Sequence, residues 1–192
     1  MKISEVKYVV KQSELIKKGD WDILIILDAM RYDYFSAIYK FFFNGFLKLT
    51  ISPSYYTAGW IKATFGDLYL DDTIYLSANP VINSRVPIEG FYAKEHFYEI
   101  IDVWNYCWDE EIGTVHPFHT TEIASEIIKL YPENRHIIHY IQPHAPYLIL
   151  GRGLGFADKY GRDVRMENHE VLQPYLDVLI FLEGFQILYG EE

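Results

Sequence analysis

The chain has 192 residues, 50% of them hydrophobic and 17% aromatic, with a formal charge of -10 at pH 7. That length predicts a single domain, 1–192, with a substantial core, and no apolar run approaches the roughly 18–20 residues of a membrane span. The acidic balance speaks against nucleic-acid binding, because general binders of a phosphate backbone draw affinity from Lys and Arg that release counterions.

In chain order, the opening residues MKISEVKYVVKQSELIKKGD carry charges at intervals and no small-residue cleavage site. No signal peptide is read there, and the cytoplasm is the expected location. Ile23 to Leu27 is a short continuous run rich in β-branched residues, the pattern of a central strand covered on both faces. Arg31 to Phe43 reads as a helix, with Tyr32, Phe35, Ile38, Tyr39 and Phe42 at helical spacing. Asn44-Gly45 stops it, and Phe46 to Ile51 is a second strand candidate. Thr57 to Tyr69 looks helical, and Thr73 to Ala78 is a third strand that breaks at Asn79-Pro80. Ile100 to Trp104 is a further strand candidate, followed by a helix over Thr120 to Tyr131 with a Thr at its cap. His136 to Ile141 is a strand, Glu170 to Glu183 a helix, and Phe185 to Tyr189 a final strand. Strands alternating with helices predict an α/β fold, a mostly parallel sheet flanked by helices.

Open parallel sheets gather ligands beyond the carboxyl ends of their strands. The residues just past the predicted strands are Asp28, the stretch Ser52 to Thr57, Asn79, and Gln142-Pro143-His144. Each alone reads as a cap or a turn residue; together they place an acid, a hydroxyl, an amide and an imidazole on one edge. That set fits ester hydrolysis through a covalent intermediate. A carboxylate can hold a divalent cation, and the cation makes a Thr or Ser hydroxyl a usable nucleophile at neutral pH. Asp28 and Thr57 would supply those parts, the start of a helix at Thr57 would favour an anionic group beside it, and His144 would contact the anion or protonate the leaving group. Cys107 is the only cysteine, so any metal must be held by Asp, Glu, His or hydroxyl oxygen.

The stretches "ILIILDAMRYDYF", "ISPSYYT" and "HYIQPHAPY" occur in the order, and at roughly the spacing, found in the amino-terminal half of the alkaline phosphatase and sulfatase superfamily. The chain most resembles its archaeal and bacterial sulfatase-like hydrolases over residues 20–185. The resemblance implies an alkaline-phosphatase-like α/β fold and a divalent metal (Zn, Mn, Mg or Ca). It matches Asp28 to the first metal-binding aspartate, Thr57 to the nucleophile, also at the metal, and His144 to the histidine at the substrate anion. His139 and Asn79 are the further expected substrate-binding residues, and the expected substrate is a small anionic ester, with phosphate and sulfate both open.

Several positions depart from the family pattern. Ala29 follows Asp28 where sulfatases commonly carry a second acid, and Thr57 cannot become formylglycine. Gly59-Trp60 stands where Pro-Ser often follows the nucleophile, leaving Ser54 as the alternative. Where the family carries Asp-His-Gly after the last helix, this chain has Tyr189-Gly190-Glu191-Glu192; the usual acid and imidazole are missing, and Glu191 or Glu192 is only a fallback, because terminal residues usually stay solvated. Two expectations follow: a metal-dependent phosphoester or sulfoester hydrolase, or a catalytically incomplete relative that binds an anion or serves in assembly. A homo-oligomer in which a second copy completes the site is a third.

Other clusters have plainer readings. His116 and His119 lie on either side of Pro117, which suits the start of a helix better than a metal pair. His136 and His139 fall on opposite faces of their strand. "GRGLG" lacks the setting of a phosphate loop, with Arg152 an anion candidate, and Cys107 to Glu111 reads as a solvated acidic turn.

Overall fold

The computed structural model describes residues 10–148 and two short strands farther on. The elements are β1 (Val10–Lys11), α1 (Gln12–Lys18), β2 (Ile23–Leu27), α2 (Tyr32–Phe42), β3 (Thr50–Ile51), α3 (Thr57–Phe65), β4 (Leu70–Ser77), β5 (Phe97–Asp102), α4 (Val103–Cys107), β6 (Trp108–Asp109), β7 (Thr114–Val115), α5 (Pro117–Leu130), β8 (Arg135–Tyr140), β9 (Phe156–Ala157) and β10 (Asp163–Val164). The protein is α/β, and its main sheet has four strands in the order β2-β8-β4-β5, every pair parallel.

The sheet separates two apolar layers, as the period of two in a strand requires. Ile74, Leu76 and Ala78 face one layer with Ile138 and Tyr140, closed by Ile38 of α2 and Ala124 of α5. Tyr75 and Ile137 face the other, against Trp60, Ile61 and Phe65 of α3. β2 contributes to both, Ile23, Ile25 and Leu27 to the first layer and Leu24 and Ile26 to the second.

The strand expected at the centre is nevertheless at the edge among the described residues. β8 and β4 are the inner strands, and every residue of β2 is only half-buried. A continuous apolar run reports that both faces are covered; it carries no information on which neighbours pair with the backbone.

Several boundaries moved for local reasons. The strand expected over Phe46 to Ile51 shrinks to Thr50–Ile51, paired with the β1 segment that the sequence reading left unassigned. The strand expected to reach Trp104 ends at Asp102, where the chain turns into α4. α5 starts at Pro117 with His116 as its cap, the His116 ring accepting from the Phe118 backbone N–H at 3.3 Å. Proline suits that first helical position because its missing N–H would have no partner there. The helix expected over Glu170 to Glu183, the strand over Phe185 to Tyr189, Gly151 to Gly155 with Arg152, and Glu191 and Glu192 lie outside the described residues. Among the described residues no helix is long and apolar enough to cross a membrane.

The two positions of the sheet can be told apart by measurement. Leu76, fully buried on β4, should cost about 2–5 kcal/mol when truncated to Ala. Ile23→Ala on half-buried β2 should cost clearly less, as read from urea denaturation followed by circular dichroism. Equal losses would mean that β2 is as enclosed as β4.

Candidate functional site

β8 lies between β2 and β4, so the carboxyl ends of three strands meet on one edge. The ladder continues one residue past each strand that flanks β8. The backbone N–H of Asp28 donates to the Tyr140 carbonyl at 3.2 Å, and that of Ala78 donates to the His139 carbonyl at 2.9 Å. Asp28 and Asn79 are thereby held on either side of the end of β8. The chain then leaves β2 through Ala29, whose φ of 60° is in the left-handed region that a β-carbon disfavours.

Asp28 is the hub. Its Oδ2 accepts from the Asn79 side-chain amide at 2.7 Å and from the Thr57 hydroxyl at 3.1 Å. His139 Nε2 stands 3.8 Å from the same oxygen, too far for a hydrogen bond. Among the described residues the hydrogen bonds to this carboxylate all go to Oδ2. Burial pushes the Asp28 carboxyl up, but His139, the charge of His144 and the Asn79 hydrogen bond together outweigh it and hold the group below its ordinary value. Asp28 is therefore an ionised carboxylate over the neutral pH range.

Thr57 is the first residue of α3, and Tyr56, the cap, offers no side-chain bond to the helix. The first backbone bond of the helix is the Trp60 N–H to the Tyr56 carbonyl at 2.9 Å. The N–H groups of the preceding turn have no partner within the helix and lie beside the Thr57 hydroxyl. Gly59 permits the approach: a β-carbon there would sit 2.5 Å from Ser54 Oγ and 2.8 Å from the Tyr56 ring. Ser54 itself serves the loop, its Oγ accepting from the Tyr56 N–H at 3.4 Å. Of the two hydroxyls considered as nucleophile, Thr57 is the one bonded to Asp28.

Asn79 and His139 take a different part from the substrate contact expected of them. Asn79 is 9% exposed, with its amide N–H on Asp28 and its Oδ1 accepting from the Val81 N–H at 3.0 Å. Both ends of that side chain are used inside the protein. His139 is 1% exposed and lies behind Asp28. Its Nδ1 is 2.8 Å from the hydroxyl of Tyr75, which is wholly buried. Burial raises the Tyr75 phenol well above its ordinary value, so its proton stays, and Nδ1 is the acceptor in reach among the described residues. That bond leaves the ring proton on Nε2, facing Asp28. Tyr75 and His139 share a face because β4 and β8 are parallel, with Tyr75 opposite Ile137 and Ser77 opposite His139. His136, on the opposite face as expected, takes no part.

His144 is exposed in the loop after β8, and its Nδ1 donates to the Ala145 carbonyl at 2.6 Å. A carbonyl only accepts, so Nδ1 keeps its proton and Nε2 is the atom left for other partners. Gln142 turns away from the edge, its amide donating to Thr114 Oγ1 and the Val115 carbonyl at 3.3 and 3.1 Å. Asp102 was hidden inside an expected strand and is in fact a buried acid at the end of β5. It accepts from the Ser84 N–H and hydroxyl at 2.9 and 2.8 Å, and so fixes the loop after β4 that carries Asn79.

The expected divalent cation finds an incomplete donor set. Asp28 and Thr57 supply a carboxylate and a hydroxyl, and among the described residues no group of three His, Cys, Asp or Glu gathers to hold a metal. Catalytic sites generally use about three protein ligands, so these residues do not by themselves make a metal cage. No protein-family model matches the chain, and no curated protein or solved structure matches it at a significant level.

Two measurements test the hub. Asn79→Ala removes the shortest bond to a half-buried carboxylate and should cost about 1–3 kcal/mol. The folded pKa of Asp28 lies below its ordinary 3.8, so its contribution to stability is fully present above that value and is lost as pH falls through the folded one. Urea unfolding across the acid range should therefore show a smaller pH dependence in Asp28→Asn than in the native chain.

Proposed function

We propose that this chain is a hydrolase-like domain for small anionic esters, phosphate or sulfate, in which Thr57 is the nucleophile and Asp28 its partner. The observation that carries the reading is the Thr57 hydroxyl at the first turn of α3, bonded at 3.1 Å to the carboxylate at the end of β2. The resemblance to the alkaline phosphatase and sulfatase superfamily, through Asp28, Thr57 and His144, supports it independently of the geometry.

In this reading the ester's phosphorus or sulfur lies at Thr57 Oγ1, and the unpaired N–H groups at the start of α3 receive its charged oxygens. The Thr57 oxygen forms a bond to phosphorus or sulfur as the bond to the leaving oxygen breaks, and the hydroxyl proton passes to Asp28. His144, once protonated, gives a proton from Nε2 to the leaving alkoxide. Water then cleaves the threonyl ester and restores the hydroxyl. Asn79 holds Asp28 in place through its Oδ2, with His139 behind it.

Activation of the hydroxyl is the demanding element, because a carboxylate held below its ordinary pKa is a weak base. A divalent cation lowers the pKa of a bound alcohol, but the described residues offer it only Asp28 and Thr57, and no step is derived through it. That shortage favours the second reading, in which the same edge binds an anionic group without turnover or serves in assembly.

Turnover of 4-nitrophenyl phosphate, bis(4-nitrophenyl) phosphate and 4-nitrophenyl sulfate, with and without Mn²⁺ or Zn²⁺, separates the two. The hydrolase reading expects activity that falls at least about 100-fold in both Thr57→Val and Asp28→Asn. Phosphate or sulfate binding by calorimetry with no turnover under any of these conditions would support the binding reading instead. A specific activity that rises with protein concentration would point to a site shared between copies.

A further inference from the structure

A second cavity, of about 290 Å³, opens beside Asp28 between the turn that leaves β2 and the loop that follows β8. Ala29, Met30, Arg31 and Tyr34 form one wall, and Pro143, His144, Ala145 and Tyr147 form the other. The two walls are apolar for most of their extent, with two phenol rings, a thioether and a proline ring. Arg31 is fixed at the rim: its Nε and one terminal nitrogen donate to the Asp33 carboxylate at 3.0 and 2.6 Å, and its guanidinium lies 4.9 Å from the centre of the Tyr34 ring. Those bonds to Asp33 already occupy two of its donors, and the guanidinium offers the rim a flat face over Tyr34.

The cavity shares His144 with the proposed site, and its wall begins at Ala29, the residue after Asp28. An alcohol leaving Thr57-bound phosphorus or sulfur departs on the side away from the nucleophile, and His144 is the group assigned to protonate it. A cavity at the small end of the usual range for ligand sites admits a compact ring but not an extended chain or a second domain. Tyrosine and methionine walls favour planar aromatic matter, which packs against rings with offset or edge geometry.

Resting on the hydrolase reading above, we propose that this cavity is the leaving-group subsite and that it selects esters of single-ring aromatic alcohols over esters of alkyl alcohols. Arg31, through its stack on Tyr34, is a positioning residue for that wall and not a catalytic one.

The test compares 4-nitrophenyl phosphate with n-butyl phosphate as substrates, and phenol with n-butanol as bare ligands observed by saturation-transfer NMR. The proteins are the native chain, Tyr34→Ala, Tyr147→Ala and Thr57→Val, each checked for folding by circular dichroism. The expected result is that phenol binds the native chain and Thr57→Val but neither tyrosine variant, while butanol binds none. KM for the aryl ester should rise about tenfold in each tyrosine variant, with a much smaller rise for the butyl ester. Phenol binding that survives both tyrosine substitutions, or equal losses for the two esters, would overturn the proposal. Turnover of both esters without phenol binding would overturn the subsite and leave the hydrolase reading standing. Phenol binding lost in the tyrosine variants, with no turnover of any ester, would uphold the cavity as an aromatic-alcohol site and refute the hydrolase reading.

Discussion

The arrangement at the sheet edge depends on one atom, Oδ2 of Asp28. It is shared by an amide from the loop after β4 and a hydroxyl from the first turn of α3, with an imidazole from β8 behind it. Three elements far apart in sequence thus converge on a single half-buried negative charge. Such a charge is tolerated only when polar groups surround it, and here those groups are the ends of the elements that the fold brings to this edge. The packing of the two layers and the polar edge therefore depend on each other. The strand order brings the ends together, and the carboxylate fixes their mutual positions.

The support extends inward from that atom in a chain. Tyr75 donates to His139 Nδ1, which turns the Nε2 proton toward Asp28, and Trp60 of α3 packs edge-on against the His139 ring with centroids 6.2 Å apart. These groups are buried, so a substitution at Tyr75 would reach the hydroxyl of Thr57 through the orientation of Asp28, and one at Trp60 also through α3, which carries both residues. On the far side Asp102 anchors the loop carrying Asn79 by binding Ser84. A buried acid on β5 thereby helps to aim an amide at the half-buried acid that follows β2.

Much of this was legible in the sequence, because it rests on patterns that are local. The apolar run before Asp28, the period of two in β4 and β8, and the polar residue after each strand identify the α/β class and the edge where Asp28, Thr57, Asn79 and His144 would be found. What was not legible depends on pairing between distant strands. The edge position of β2, the insertion of β8 between β2 and β4, and the contact of Tyr75 with His139 all follow from strand order. Strand order is set by packing across the whole layer and leaves no mark at any one position. Asp102 was obscured for a related reason: an acid within an apparently continuous apolar stretch gives no local sign that the strand ends there. The roles of Asn79 and His139 could not be read either, since a polar residue at a strand end serves a ligand or a neighbouring side chain equally well.

Ala29 adds a constraint on how this edge can change. Its left-handed backbone costs about 1–2 kcal/mol for a residue with a β-carbon, so the turn keeps that shape only while its surroundings hold it. Those surroundings are the ladder bond from Asp28 to Tyr140 and the bonds that Asn79 and Thr57 make to the carboxylate. Loss of those bonds would free the turn to relax toward an ordinary basin and carry Asp28 away from Thr57 and Asn79. The polar edge is thus tied to the backbone shape of a single residue.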